Sequence, residues 1–368
     1  MIRRLARFSL ALVSLSAVAG CGVSAAVKAA RDHDIPALAK ALEAEAKSGK
    51  LDDGEVEDVA RALAKSEIRE AKGDPGVVVI ESMGECADSV EGALDARSEK
   101  DDDVAAAAGA MLLSHKLVSA DEYADLAIEK DQRPMFRALG VIGGPRVVQV
   151  LRDLWNTADS GGRRAIAIAW ASPKTFDAGG KEELLWAAQH AEGDGGIYAS
   201  IALARASGAG SEEQGAALGV LTRAIKLGTR SERVSAISMS PSSNEVLDAI
   251  RFAKDDSDVG ISLVAWSRLH TEGTSDEVKT SIDKLFDIAK GEHPEAPRAQ
   301  EELAWFGEAR VKPLLEKQLK SDNGYARVVG GRGLIALGEF VKAAPNLGDA
   351  STDVRVQTAC AILGKRDR

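Results

Sequence analysis

The chain has 368 residues, 47 Lys+Arg against 57 Asp+Glu, five His, three Cys and 45% apolar residues. Ample apolar content with only 28% charged residues excludes an intrinsically disordered chain, and a formal charge of −10 argues against nucleic acid, whose phosphates are held through Lys and Arg. Alanine is abundant and aromatics make up only 4%, a composition that favours closely packed helices over sheets.

Residues 1–20 have the layout of a secretory signal peptide. Arg3, Arg4 and Arg7 form a basic start. Phe8 to Val18 is apolar, broken only by Ser9, Ser14 and Ser16. That stretch is shorter than the roughly 20 residues a spanning helix needs. Its removal takes three arginines and no acid, bringing the formal charge from −10 to −13. No later run reaches the length of a membrane span.

The end of this leader, Val18-Ala19-Gly20-Cys21, resembles the lipobox of bacterial lipoproteins. The resemblance implies cleavage between Gly20 and Cys21 and a covalent lipid on Cys21, with residues 21–30 as a lipidated N-terminus and short tether. Several acyl chains, each contributing about 0.8 kcal/mol per buried methylene, anchor a protein stably. Gly22 follows the cysteine where the enteric sorting rule would place Asp for inner-membrane retention. It points to the outer membrane, with the protein facing the periplasm.

The remainder repeats one pattern. Segments opening at Asp102, Arg133, Gly161, Gly195, Thr229, Ser257, Glu295, Asn323 and Ser351 each take a polar step into an Ala-rich helical run. Their spacing averages about 31 residues, within the range of helical repeats. Amphipathic helices lie between them; in one, Val278, Ile282, Leu285 and Phe286 recur at helical spacing. Gly, Ser and Asp at the joints supply caps. Helices sandwiched between neighbours need small side chains, and repeats that cannot bury a face alone bury it against the next copy.

The pattern resembles the HEAT repeat in its short bacterial form. The match is best at Asp353, Val354, Arg355, Ala359, Ala361, Leu363 and Gly364, partial at Ala326, Arg327, Ala336, Leu337 and Gly338, and present in altered form at Arg137, Ala138, Leu139 and Gly140. Ala169-Trp170, Ala265-Trp266 and Ala304-Trp305 depart from it. The fold implied is an all-α solenoid of roughly ten helix pairs. Residues 100–368 form the array proper and residues 31–99 are helical repeats of less certain register, HEAT-like or ankyrin-like. The β-branched run Val77 to Ile80 fits either a short strand or a buried helix. The last segment, from Ser351, reads as a single capping helix whose buried side is Val354, Val356, Ala359, Ile362 and Leu363.

Chemistry is sparse. Cys86 and Cys360 lie eight or nine repeats apart, which in an open array of helices spaced about 8–10 Å places them on the order of 70–90 Å from each other. A disulfide needs Cα atoms within about 7 Å, so no intrachain disulfide is expected and both read as small buried hydrophobes. His33, His115, His190, His270 and His293 are scattered and none is followed by Glu, so the His-Glu pairs with which the HEAT-repeat enzyme deoxyhypusine hydroxylase holds iron do not occur. No metal or other cofactor is expected beyond the lipid. Gly331-Arg332-Gly333-Leu334-Ile335-Ala336 fits a dinucleotide loop on paper but lies within a repeat helix, where glycine permits close packing. The clusters Asp101-Asp102-Asp103 and Asp255-Asp256-Ser257-Asp258 fall just before helices, where acids cap and complement the helix dipole. Trp155, Trp170, Trp186, Trp266 and Trp305 are candidates for partner contact or for filling between Ala-rich layers. The function expected is a non-catalytic, membrane-anchored scaffold for unidentified protein partners in the bacterial envelope. The alternative is a lyase-like enzyme or ligand-binding protein on the same repeats.

Overall fold

The computed structural model describes residues 23–116 and 133–366. The expected leader, with Gly20 and Cys21, lies outside them. Every regular element among the described residues is helical. The N-terminal helices are α1 (Ala25–Arg31), α2 (Ile35–Lys47), α3 (Asp53–Glu70), α4 (Gly73–Ser82), α5 (Ala87–Ser98) and α6 (Asp103–Ser114). After the undescribed stretch come α7 (Arg133–Ile142), α8 (Pro145–Trp155), α9 (Ser160–Trp170), α10 (Lys181–His190), α11 (Asp194–Ala206), α12 (Glu212–Leu227) and α13 (Arg230–Met239). The rest are α14 (Asn244–Ala253), α15 (Val259–Glu272), α16 (Ser275–Lys290), α17 (Ala296–Trp305), α18 (Lys312–Gln318), α19 (Gly324–Ala336), the short α20 (Phe340–Ala343) and α21 (Thr352–Arg366). The run Val77 to Ile80 lies within α4, so the helical alternative holds there. Helix α1 begins at Ala25 with Ala26, Val27, Ala29 and Ala30 buried, so packed structure starts inside the stretch expected to be a tether.

Starts are set by local chemistry. Asp102, Asp159, Ser211, Ser243 and Asp258 each accept a hydrogen bond from a backbone N–H of the helix they precede. Thr229 with Glu232, and Thr274 with Glu277, form complete capping boxes. Both acidic clusters therefore act as caps. Asp102 also pairs with Arg97, and Asp256 accepts the Asp258 N–H while pairing with Arg233.

Two layers result. In the first, α4 packs on α6, α6 on α7, α7 on α9, α9 on α11, α11 on α13 and α13 on α15. Helices α15 and α17 are bridged by α16 and by the Ser267 hydroxyl donating to Glu302 at 2.7 Å; α17 then packs on α19 and α19 on α21. The helices between them form the second layer. First-layer helices are small-sided because they are enclosed: in α6 every residue from Val104 to Leu113 is buried. Gly333 in α19 serves the same end, since a Cβ there would lie 2.5 Å from Leu315 Cδ2. The glycine-rich run is thus a packing device, not a nucleotide loop.

The circuit then closes. Helix α21 packs against α3, α4 and the 3-10 turn Met83–Cys86, and α2 packs against the turn Ala344–Gly348. Along this seam Cys86 and Cys360 form a disulfide, their Cα atoms 5.0 Å apart across 274 residues of sequence. This corrects the expectation of two distant, unpaired thiols. The estimate of 70–90 Å assumed an open array, whereas neighbour-to-neighbour packing here returns to its start. Glu67 on α3 receives Arg355 Nε of α21 at 2.6 Å, both side chains 5% exposed, and His33 Nε2 lies 3.3 Å from its other oxygen. Arg355 further donates to the carbonyls of Asp349 and Ala350 and to the Thr352 hydroxyl, which satisfies a buried guanidinium that would otherwise be costly. Gly364 comes so close to the Glu85 carbonyl that a Cβ would lie 2.7 Å from its oxygen. Helix α21 does bury Val354, Val356, Ala359, Ile362 and Leu363 as expected, but it joins two ends of the chain instead of capping one. Its Lys365 donates to the carbonyls of Ile335 and Ala336 at the end of α19.

Candidate binding furrow

On first-layer helices, the positions left after burial form an exposed stripe. In α7, Met135, Phe136, Ala138 and Leu139 are buried and Arg137 is exposed. In α9, Ala165, Ile166, Ala167, Ala169 and Trp170 are buried, while Arg164 and Ile168, one turn apart, are exposed. In α11, Arg205 is exposed. A cleft of about 210 Å³ runs between Glu81 of α4, Met111 and Ser114 of α6, Arg137, Arg164 and Ile168. A second, of about 400 Å³, is lined by Arg164, Ile168, Tyr198, Ile201, Arg205 and Met239. Arg164 and Ile168 line both, so the two clefts adjoin on either side of these residues and together form a furrow along the first layer.

The arginines of the described chain divide into paired and unpaired ones, and the unpaired ones are not confined to the furrow: Arg146 on α8 and Arg223 on α12 are exposed without an ion pair too. Arg230, Arg233, Arg251, Arg327 and Arg332 all pair with carboxylates. Arg137 and Arg164 have no ion-pair or hydrogen-bond partner among the described residues. Arg205 donates through Nη2 to the Met239 carbonyl at 2.6 Å. Three arginines thus face solvent near the exposed Ile168 in a chain of net negative charge. Arg137 opens the altered HEAT-like match Arg137-Ala138-Leu139-Gly140, whereas nothing in the sequence pattern singled out Arg164 or Arg205.

The tryptophans divide sharply. Trp155, Trp170 and Trp266 are 3%, 0% and 4% exposed, which leaves them no surface to offer a partner. Trp155 and Trp170 pack on each other, ring centres 5.0 Å apart, as filler between layers. Trp186 and Trp305 are 48% and 47% exposed. Trp186 stacks on His190 in the second layer. Trp305 borders a cleft of about 260 Å³ with Glu85, Arg332 and Lys365, beside the seam. Near it the Glu301 carboxyl is pushed above its ordinary pKa by burial, against the pull of Arg332.

A cleft of about 540 Å³ lies on the seam among His33, Glu67, Pro75, Val78, Val79 and Val356. His33, Glu67 and Arg355 there are engaged with one another. The remaining histidines are dispersed: His270 meets the Ser281 hydroxyl at 3.0 Å and stacks on Phe306, and His293 accepts the Glu295 N–H. Among the described residues no group of three His, Cys, Asp or Glu side chains is placed to hold a metal ion, and no helix is long and apolar enough to cross a membrane. No protein-family model matches the chain, and no curated protein matches it.

Proposed function

We propose that this chain is an exported, lipid-anchored, non-catalytic adaptor of the bacterial cell envelope, built on HEAT-like repeats and held through Cys21 at the outer membrane facing the periplasm. It binds another protein along the first layer of its helices. The observation that carries this is the pair of adjoining clefts along the first layer, where Arg137 and Arg164 are exposed and make no ion pair within the described chain. Extended helical arrays present such surfaces for protein binding. The Cys86–Cys360 disulfide supports export, since disulfides persist in oxidising compartments.

A photo-reactive amino acid placed at Ile168, with Leu227 on the second layer as control, tests the binding face in whole cells. A specific adduct from position 168 and none from 227 is expected; equal labelling at both sinks the assignment. Cys21→Ser should move the protein from the detergent phase to the aqueous phase, and unchanged partitioning would rule out the anchor. A second reading, a ligand-binding protein, draws on the seam cleft, whose volume of about 540 Å³ falls within the range of small-molecule sites. Stoichiometric recovery of a small molecule from natively purified protein would favour it.

A further inference from the structure

We infer, on the basis of the lipid anchor proposed above, that this anchor leaves the folded body no slack, so that one end of the molecule lies against lipid headgroups. That end is the start of α1 together with the loop between α2 and α3. Chain length carries the inference. Only Gly22 and Val23 separate Cys21 from Ser24 in the sequence. Ser24 already belongs to the fold: its hydroxyl accepts the Val27 N–H at 3.1 Å and its carbonyl accepts the Lys28 N–H at 3.0 Å. Three residue steps of fully extended chain span at most about 11 Å. The headgroup region of one leaflet takes up roughly 5–8 Å of that. What remains, roughly 3–6 Å, is less than the width of a helix. Unwinding α1 would lengthen the tether, but Ala26, Val27, Ala29 and Ala30 are buried and would be exposed by it.

The surface around Ser24 follows from two hydrogen bonds to one residue. Glu45, in the last turn of α2, accepts the Ala26 N–H through Oε1 at 3.3 Å and the Lys50 N–H through its carbonyl at 3.0 Å. The loop after α2 is thereby folded back beside the first turn of α1. Its Ser48, Gly49 and Lys50 are exposed, and Val23, which precedes Ser24, is 58% exposed. Lys28 and Lys50 make no ion pair among the described residues and can meet lipid phosphates. Asp52 and Asp53, exposed just beyond the loop, oppose an anionic surface. These charges offset one another, so the tether and not electrostatic attraction sets the contact, and the surface has no affinity for lipid of its own. An adaptor held this way receives its partner at the bilayer surface, since the tether lends it no reach.

The experiment uses the full-length acylated protein, reconstituted into vesicles of phosphatidylethanolamine and phosphatidylglycerol that carry a headgroup spin-labelled lipid. Cys86 and Cys360 are joined and Cys21 is blocked by acylation, so a single added thiol takes a nitrobenzoxadiazole label. Lys50→Cys places it at the proposed contact, and Leu227→Cys, midway round the circuit, is the control. Both positions are exposed, so the labelled proteins should melt within a few degrees of the parent. The label at position 50 should lose most of its fluorescence to the spin label, and the label at position 227 should keep it. Inserting about ten Gly/Ser residues between Gly22 and Val23 adds a coil that spans roughly 17 Å. It should restore the fluorescence at position 50 while the protein stays in the detergent phase. Equal quenching at the two positions overturns the proposal. So does quenching at position 50 that survives the longer tether, or that occurs in the unacylated Cys21→Ser protein, because the surface would then bind lipid unaided. If Cys21→Ser leaves detergent partitioning unchanged, the anchor itself fails. If the anchor holds and position 50 is not quenched, only the placement of this end against the bilayer fails.

Discussion

The seam and the furrow are made from the same materials and put them to opposite uses. On the seam, Arg355 is 5% exposed and spends its donors on Glu67, Thr352 and two carbonyls. In the furrow, Arg137 and Arg164 are exposed and have no such partners among the described residues. Apolar side chains follow suit: Val356 and Ile362 are buried on α21, while Ile168 on α9 is 42% exposed. A buried charge with one partner removed costs far more than an exposed one, so substitutions at the seam should act on stability and those in the furrow on binding.

Deleting the chain after Asp349 tests the seam most severely. It removes the buried Val354, Val356, Ile362 and Leu363 side chains, each contributing roughly 1.5–3 kcal/mol before entropy. It also removes Cys360 and Arg355. An α21 that only capped the array would leave the N-terminal helices protected. As a joint, it should uncover α3 and α4 as well as α19. Hydrogen exchange should show protection lost over residues 25–98 and 324–348 and kept over α11 to α15. Protection unchanged over residues 25–98 would show that α21 does not join the two ends.

Next in size is the disulfide. Closing a loop of 274 residues stabilises by about 5.6 kcal/mol in the chain-entropy treatment, somewhat above the roughly 5 kcal/mol that disulfides deliver at most. Cys86→Ala with Cys360→Ala should therefore lower the melting temperature by several degrees and enlarge the radius of gyration by small-angle scattering. An unchanged radius and melting temperature would show that noncovalent contacts close the circuit alone. Glu67→Gln follows. Breaking one side of a buried pair costs about 3–5 kcal/mol, because Arg355 is left without its counter-charge. Chemical denaturation should show that loss, and a double variant with Arg355→Met should recover part of it; a loss no larger than that of R164E would erase the distinction between the two regions.

Helices were legible because their signals are local. Ala-rich runs, capping acids and threonines, and glycines at close crossings all act within a few residues, and the structure follows them at α6, α15 and α19. Even the β-branched run at Val77 is helical, since it lies among packed helices and no strand to pair with occurs among the described residues. Closure was not legible. The contacts of Cys86 with Cys360 and of Glu67 with Arg355 span 274 and 288 residues and leave no periodic trace. Small rotations at each helix-to-helix step, summed along the chain, decide whether the ends meet, and sequence spacing does not encode them. The tryptophans show the same limit: Trp170 and Trp305 hold matching places in their helices, yet one is buried and the other half-exposed. Likewise Arg164 and Arg332 look alike in sequence, and only the packing supplies Glu301 to one of them.

The smallest effect expected concerns an arginine of the paired kind on the second layer. Glu277 caps α16 through the Thr274 N–H at 2.8 Å and holds Arg251 of α14 at 2.8 Å through Nε. The hydrogen bond from Arg251 leads the causes that lower its pKa from 4.5 to about 2. A carboxylate depressed in the folded state contributes stability above its unfolded pKa and loses it as pH falls through the folded value. The contribution is thus complete at neutral pH and fades between about 4.5 and about 2. Glu277→Gln removes the charge at every pH while keeping much of the shape. Relative to the parent, this variant should be less stable at pH 7, and the gap should narrow as pH drops through that window. Salt should also narrow it, since the pair is near the surface. Arg164 has no carboxylate to lose, so Arg164→Gln should show no such pH-dependent gap. A gap for Glu277→Gln that is constant from pH 7 to pH 2.5 would mean that packing, and not the ion pair, joins α14 to α16.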